Sequence, residues 1–105
     1  MSNIYERIAE IRAEGKEAVL ATIISSTGST PRGEGAKMLI EADGSSLGSL
    51  GGGELEAEVC SRAMEVMRKG RVERLRLSLA EDEIGMICGG EVEVFIEPIL
   101  PSPAL

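Results

Sequence analysis

The chain has 105 residues, 43% of them hydrophobic, and its 11 basic and 18 acidic side chains give a formal charge of −7. This length suits one domain with a modest core, and the acidic balance argues against duplex nucleic acid, which needs a basic surface. With one Tyr, one Phe and no Trp, the chain also lacks the aromatic side chains on which single-stranded bases stack.

Signals for export, membrane insertion and metal binding are weak. The N-terminus has no basic region followed by an apolar stretch, and no apolar run approaches about 18 residues, so we expect a cytoplasmic protein that does not contact a membrane. The two cysteines, Cys60 and Cys88, are then expected to be reduced. The chain contains no His, the commonest general base and metal ligand, so we expect no metal site.

The first two predicted elements are an amphipathic helix and a buried strand. Residues 3–14 carry isoleucines at helical spacing, a capping residue in Asn3 or Ser2, and a terminating Gly15. Residues 17–25 form a continuous apolar run that ends in β-branched residues. Such a run predicts a strand that is buried on both faces.

A polar loop at residues 26–35 follows this strand. It is rich in hydroxyls and glycines, with Arg32 beside Pro31 and Lys37 just beyond it. Hydroxyls, free N–H groups and a guanidinium suit an oxyanion or a polar heterocycle. The alternative is a long surface connection without a ligand.

Residues 36–41 and 46–50 are predicted to pair as a hairpin around Asp43-Gly44. The polar loop precedes the first of these strands, and a triple glycine follows the second. Because the outer ends of a hairpin lie together, we expect the loop and the glycines at the same edge of the sheet.

The triple glycine, residues 51–53, opens a predicted helix over residues 54–69. Free N–H groups at a helix start could bind an anion, or the glycines could simply let the chain turn. Glu54 and Glu56 in the first turn would repel a phosphate placed there. Glu56 lies at the flank of the apolar helical face, where it could cap the glycine N–H groups or face a ligand; we favour the cap.

The C-terminal third is predicted to form two strands, residues 71–79 and 91–97, which alternate apolar and charged side chains. Between them, Cys88 stands directly before two glycines. A thiol beside open backbone N–H groups can be reactive or bind a metal, or it can be a small buried residue at a turn. Cys60, on the predicted helix, is interpreted as a small core residue.

Four segments, taken in order, resemble the XdhC/CoxI family. They are Gly28-Ser29-Thr30-Pro31-Arg32, Gly35-Ala36-Lys37-Met38-Leu39, Gly48-Ser49-Leu50-Gly51-Gly52-Gly53-Glu54-Leu55-Glu56-Ala57-Glu58 and Gly85-Met86-Ile87-Cys88-Gly89-Gly90. The resemblance covers residues 17–98, which leaves residues 99–105 as a tail, and it implies one XdhC/CoxI-like domain over residues 1–105. Longer members carry a second, Rossmann-like domain, which this sequence is expected to lack.

The resemblance implies a maturation factor for molybdenum hydroxylases that binds molybdenum cofactor (molybdopterin) as cargo and assists its sulfuration or its insertion into the apoenzyme. Such a chaperone need not be an enzyme. In this hypothesis Arg32 and Lys37 bind the pterin phosphate, the glycine turn orients the ligand, and Cys88 lies near the metal or its exchangeable sulfur. The cofactor-binding residues implied are Ser29, Thr30, Arg32, Lys37, Gly51, Gly52, Gly53, Glu56, Cys88, Gly89 and Gly90. In one departure, Glu54 stands where many members carry Cys or His, which weakens the case for a thiol or metal ligand there.

Two other functions remain open at this stage. The domain could be an interaction module that docks a separate Rossmann-domain chain, a sulfurtransferase or the target hydroxylase, or it could be a sulfur-transfer enzyme with Cys88 as the nucleophile. We expect a homodimer, because a small sheet leaves an edge to cover. The expected fold is α/β, a single small domain with a mixed sheet and two packed helices in the order α-β-β-β-α-β-β.

Overall fold

A five-stranded sheet with one helix on each face forms the fold. The structure is a computed structural model, and it describes residues 3–28, 33–79 and 90–101. The elements are, in chain order, α1 (Ile4–Glu14), β1 (Ala18–Thr27), β2 (Lys37–Glu41), β3 (Ser46–Gly48), α2 (Gly53–Lys69), β4 (Glu73–Leu79) and β5 (Gly90–Ile99). The α/β class and the predicted order of elements are confirmed.

Helix α1 begins and ends where its sequence signals predict. The Asn3 side chain accepts a hydrogen bond from the Glu6 N–H at 2.8 Å, and the Glu6 carboxylate accepts one from the Asn3 N–H at 3.4 Å. This reciprocal pair is a capping box. Gly15 ends the helix with a φ of 72°, in the left-handed region that favours glycine.

The strand order is β3-β2-β1-β5-β4, and every pairing is antiparallel. The sheet is therefore antiparallel, where the sequence had suggested a mixed one. The chain passes through α2 from β3 at one edge of the sheet to β4 at the other. The two strands that this helix connects run in the same direction but are not neighbours, so no parallel pair arises.

The central strand β1 is buried on both faces, as its continuous apolar run predicts. On one face it packs with α2 in a core cluster of 14 buried residues. On the other face Ala18 and Leu20 pack with Ile11 of α1 and with Leu39 of β2. The larger cluster consists of Val19, Ala21, Ile23, Met38, Ile40, Leu50, Leu55, Val59, Ala63, Val66, Leu75, Val92, Val94 and Ile96.

One end of the sheet collects three connecting segments. The register pairs Thr22 with Lys37 and Met38 with Gly48, so β2 begins and β3 ends at the same end of the sheet. Thr27, the last residue of β1, pairs with Glu91 near the start of β5. The segments after β1, after β3 and before β5 therefore all leave the sheet at this end. Neither helix in the part of the chain that the structure describes is both long and apolar enough to cross a membrane.

Candidate functional site

The glycine turn between β3 and α2 is closed by a single carboxylate. Oε2 of Glu56 accepts hydrogen bonds from the Ser49 hydroxyl at 2.7 Å, from the Leu50 N–H at 2.8 Å and from the Gly52 N–H at 2.7 Å. The Ser49 Oγ in turn accepts from the Gly51 N–H at 2.9 Å. The interpretation of Glu56 as a cap of the glycine N–H groups is thus confirmed.

These bonds restrict what the turn can offer to a ligand. The N–H groups of Gly51 and Gly52 already have acceptors within the turn. A ligand that used them would have to displace Ser49 or Glu56. Direct contact of Gly51, Gly52 and Gly53 with a cofactor therefore stays a prediction.

The hydrogen bonds also fix the charge of the turn. The Ser49 hydroxyl, followed by the backbone N–H groups, holds the pKa of Glu56 below its ordinary value against the opposing effect of burial. Glu56 is therefore ionised at neutral pH. One helical turn later, burial and the charge of Glu56 raise the pKa of the Cys60 thiol. Cys60 packs against the larger core cluster, so its interpretation as a core residue is confirmed.

A polar cleft of about 730 Å³ lies beside this turn. One wall comes from the end of the polar loop, and the other comes from the glycine turn. The expectation that the polar loop and the triple glycine share one edge is thereby confirmed for the described part of the loop. The lining residues are Gly33, Glu34, Ala36, Ser49, Gly51, Gly52 and Glu56.

The remaining predicted site residues lie apart from the cleft or outside the described residues. Lys37 alternates with Met38 along β2, so it belongs to the face of the sheet that α1 covers, whereas the glycine turn leads into α2 on the other face. Gly90 is buried and pairs with Leu79 at the start of β5. Glu54 is exposed. Five predicted residues lie outside the described residues: Ser29, Thr30, Arg32, Cys88 and Gly89.

Sequence reasoning missed two side chains of the cleft, Ser49 and Glu34. The signal for Ser49 was its position two residues before Gly51, because a Ser hydroxyl commonly accepts a hydrogen bond from the backbone N–H two residues later. Glu34 gave no signal beyond being an acid in a glycine-rich loop. Within residues 3–28, 33–79 and 90–101, no three of Asp, Glu and Cys converge as metal ligands.

Comparison with known sequences gives three informative relatives. The chain is 37% identical over 97 residues to the uncharacterized protein YqeB of Escherichia coli, covering 90% of this chain and 18% of YqeB. It is 32% identical over 98 residues to the molybdenum cofactor insertion chaperone PaoD of the same organism, covering 91% of this chain and 31% of PaoD. A protein of Bacillus subtilis named as a probable xanthine dehydrogenase subunit is 39% identical over 62 residues, which are 59% of this chain and 19% of that protein.

Among solved structures, a crystal structure described as a xanthine dehydrogenase from Bacillus halodurans superposes with a TM-score of 0.77 at 31% identity. The match covers 90% of this chain and 30% of that one. The chain thus spans less than a third of the length of each of these proteins. Residues 11–79 match the XdhC and CoxI family, and this match covers more than half of the sequence. The chain belongs to the XdhC and CoxI family.

Proposed function

We propose that this chain takes part in the maturation of molybdenum hydroxylases, by binding molybdenum cofactor as cargo and assisting its sulfuration or its insertion into the apoenzyme. The observation that carries the proposal is the 32% identity, over 91% of the chain, to a protein named as a molybdenum cofactor insertion chaperone. The role is one of binding and transfer, so the chain itself need not make or break a bond.

The chemistry of the cleft supports a pterin as its occupant. Its walls present the carboxylates of Glu34 and Glu56, the hydroxyl of Ser49 and backbone from three glycines. Carboxylates accept hydrogen bonds and donate none when ionised, so they suit the N–H-rich edge of a pterin ring. They do not suit its phosphate. The phosphate needs cations, and we assign that part to Arg32. Lys37 lies on the α1 face of the sheet, away from the glycine turn, and is not assigned to the phosphate.

The other proposed contacts follow the family motifs. Ser29 and Thr30 offer hydroxyls in the polar loop, and Gly51, Gly52 and Gly53 offer backbone. Cys88, followed by Gly89 and Gly90, would lie near the metal or its exchangeable sulfur. In this proposal the protein holds the pterin at the acidic cleft and shields the metal end with the segment that contains Cys88.

The partners are part of the proposal. The apoenzyme of a molybdenum hydroxylase would receive the cofactor, and a sulfurtransferase or a separate Rossmann-domain chain could act with this domain. We propose that the protein works in the cytoplasm as a homodimer, and that it binds neither a membrane nor nucleic acid.

The test is an anaerobic titration of the purified protein with isolated molybdenum cofactor, with bound molybdenum measured after gel filtration. We expect saturable binding that Arg32→Ala and Cys88→Ala each weaken by about tenfold or more, the scale of one lost charged contact. The matched controls are Arg68→Ala at the exposed end of α2 and Cys60→Ala in the core, which should bind as the unmodified protein does.

Two results would count against the proposal. If neither the unmodified protein nor any variant binds the cofactor, the chaperone proposal is wrong for this chain and the interaction module is favoured. If binding occurs but Arg32→Ala and Cys88→Ala leave it unchanged, the assignment of those residues is wrong.

A further inference from the structure

A second cleft, of about 400 Å³, lies between the first half of α2 and strand β4. Leu55 and Ala57 of the helix and Leu77 of the strand supply its apolar lining. Its other lining residues are Glu54, Glu58 and Ser78. We call it the α2–β4 groove; it shares no lining residue with the cleft at Glu56.

The groove runs beside the outer edge of the sheet, at β4. Strand β4 is the last in the order β3-β2-β1-β5-β4 and pairs with β5 along all seven of its positions. On its outer side no other strand of the described residues pairs with it. In an antiparallel strand the backbone N–H and C=O groups of alternate residues point to that outer side. A free edge beside a groove is the geometry in which an extended peptide adds to a sheet.

The side chains of β4 specify what such a peptide must look like. Leu75 and Leu77 face α2, and Arg74 and Arg76 alternate with them on the opposite face. Arg76 is exposed and, among the described residues, lies within ion-pair distance of no carboxylate. The outer edge therefore combines an apolar side toward the groove with a basic side away from it.

The inner partner of β4 already has the complementary pattern. In the register of β5, Glu93 stands opposite Arg76 and Val92 opposite Leu77. The Arg74 Nε atom also lies 3.3 Å from a Glu93 carboxylate oxygen. On the inner side of β4, the alternating acidic and apolar residues of β5 thus match the arginine face and the leucine face of the strand. The outer side of β4 presents the same two faces, so a strand with the same alternation would match it.

A second copy of β4 does not have this pattern. Antiparallel pairing of β4 with its own copy keeps the arginines of both copies on one face, with Arg76 opposite Arg76 or Arg74 opposite Arg76. Like charges directly opposite each other destabilise a pair of strands. A homodimer would therefore have to use another surface, and the edge is left for a different polypeptide.

We propose that the α2–β4 groove binds an extended segment of a partner protein in which acidic and apolar residues alternate, and that this segment adds to β4 as a sixth strand. Its apolar side chains would fill the groove over Leu55, Ala57 and Leu77, and its acidic side chains would pair with Arg74 and Arg76. The reverse orientation would bring acids against Glu54 and Glu58, so the charges fix which face of the segment points inward. The proposal does not depend on cofactor binding.

The probe is a blocked, fluorescently labelled peptide that copies residues 91–97, in which Glu and apolar residues alternate except at Phe95-Ile96. Its control has Lys at the three Glu positions. Fluorescence anisotropy with the full chain should show saturable binding of the acidic peptide and at least about tenfold weaker binding of the basic one. Hydrogen exchange of the β4 amides should slow only when the acidic peptide is present.

Two variants locate the site. Ala57→Gln fills the groove from an exposed helical position, and Arg76→Glu reverses the charge of the edge. Each should weaken the binding of the acidic peptide by about tenfold. The matched controls are Ala13→Gln, at an exposed position of α1, and Lys16→Glu, before β1, which should leave binding unchanged. The proposal is overturned if the acidic peptide does not bind, if both peptides bind equally, or if the groove variants bind as the controls do.

Discussion

Ser49 and Glu56 are joined by a 2.7 Å hydrogen bond from the serine hydroxyl to the carboxylate, and this bond closes the turn that starts α2. The helix has Gly52 as its N-cap residue, with no side chain to cap the first turn. Glu56 replaces such a cap by reaching back to the Gly52 N–H. The acid that the sequence places at the helix start thus holds the turn that forms one wall of the polar cleft.

Removal of this carboxylate should loosen the turn and lower the stability of the domain. We expect Glu56→Ala to reduce the free energy of unfolding by about 1–3 kcal/mol, because several hydrogen bonds to an ionised group are lost and backbone donors remain without acceptors. Urea unfolding followed by circular dichroism measures the change. The control is Glu54→Ala, an exposed acid in the same turn, which should cost less than about 1 kcal/mol; equal losses would contradict the role of Glu56.

Stability should fall in acid and be nearly constant between pH 6 and 8. Hydrogen bonds from Ser49 to Glu56, and from Arg7 to Glu41, hold the pKa of each carboxyl below its ordinary value. As the pH falls, the unfolded chain takes up protons before the folded one does. The stabilisation is therefore complete above about pH 4.3, the ordinary pKa of Glu, and is lost as the pH falls through the lower pKa values of the folded state. The chain has no His, the side chain that ordinarily titrates between pH 5 and 8.

Urea midpoints measured from pH 2 to 8 test this dependence. Glu56→Gln and Glu41→Gln should each flatten the acid limb, because each removes one carboxyl whose pKa differs between the folded and unfolded states. A profile that keeps its full slope in both variants would show that other groups cause the acid sensitivity.

Gly48→Ala should be more damaging than the same substitution at Gly15, Gly35, Gly44, Gly52, Gly53 or Gly70, which also have positive φ but open space around them. Gly48 has a φ of 87°, and a Cβ atom there would lie 2.5 Å from the Lys37 carbonyl oxygen and 2.8 Å from Cδ1 of Ile4. Backbone strain and overpacking together should cost roughly 3 kcal/mol or more. Gly44→Ala is the matched control, because it has a φ of 90° but open space around it, and it should cost about 1–2 kcal/mol.

Thermal unfolding of the two variants side by side separates the two effects. The difference between them measures the clash alone, since both positions carry the same kind of backbone strain. Equal melting temperatures would mean that the close approach of β3 to β2 and α1 does not affect the stability of the Gly48→Ala variant.

Ile11→Ala should detach α1 from the sheet. Ile11 is fully buried, and it is the only residue of α1 in the buried part of the smaller cluster. Its truncation should cost about 2–5 kcal/mol and speed amide exchange in α1 more than in α2. Tyr5→Ala, at a position that is 65% exposed, serves as the control and should change stability by less than about 0.5 kcal/mol.

The Cys60 thiol should react slowly in the folded protein. Burial and the nearby charge of Glu56 raise its pKa, and both reduce the fraction of thiolate at neutral pH. In a Cys88→Ser background, where Cys60 is the only thiol, reaction with a disulfide reagent at pH 7.5 should be at least about tenfold slower than in urea. The converse Cys60→Ser background then reports on Cys88 alone, and an unreactive Cys88 would contradict a sulfur-transfer role.

Much of the fold follows from local sequence signals. The capping residue Asn3 and the terminating Gly15 set the ends of α1, and Asp43-Gly44 sets the hairpin of β2 and β3, because caps and tight turns depend on a few adjacent residues. The polar loop and the glycine turn could be placed at one edge for the same reason. The function of the loop and of Cys88 could be inferred only by resemblance.

What could not be predicted depends on contacts that are distant in sequence. No local signal indicates that β5 pairs with β1, or that α2 takes the chain from β3 at one edge of the sheet to β4 at the other. The position of Lys37 on the α1 face, away from the glycine turn, likewise follows from register. Register is fixed by the whole sheet, and a shift of one residue would move each side chain to the other face.

The pairing of β1 with β5 has a consequence for folding during synthesis. Ala18 stands opposite Ile99, so almost the whole described chain must be synthesised before the second neighbour of the central strand is available. At about 5–20 residues per second, a ribosome needs roughly 4–16 s to travel from one to the other. During that time Val19, Ala21 and Ile23 lack the strand that completes their core. Pairing between strands so distant in sequence also slows folding, so the core around β1 is completed only after β5 has been synthesised.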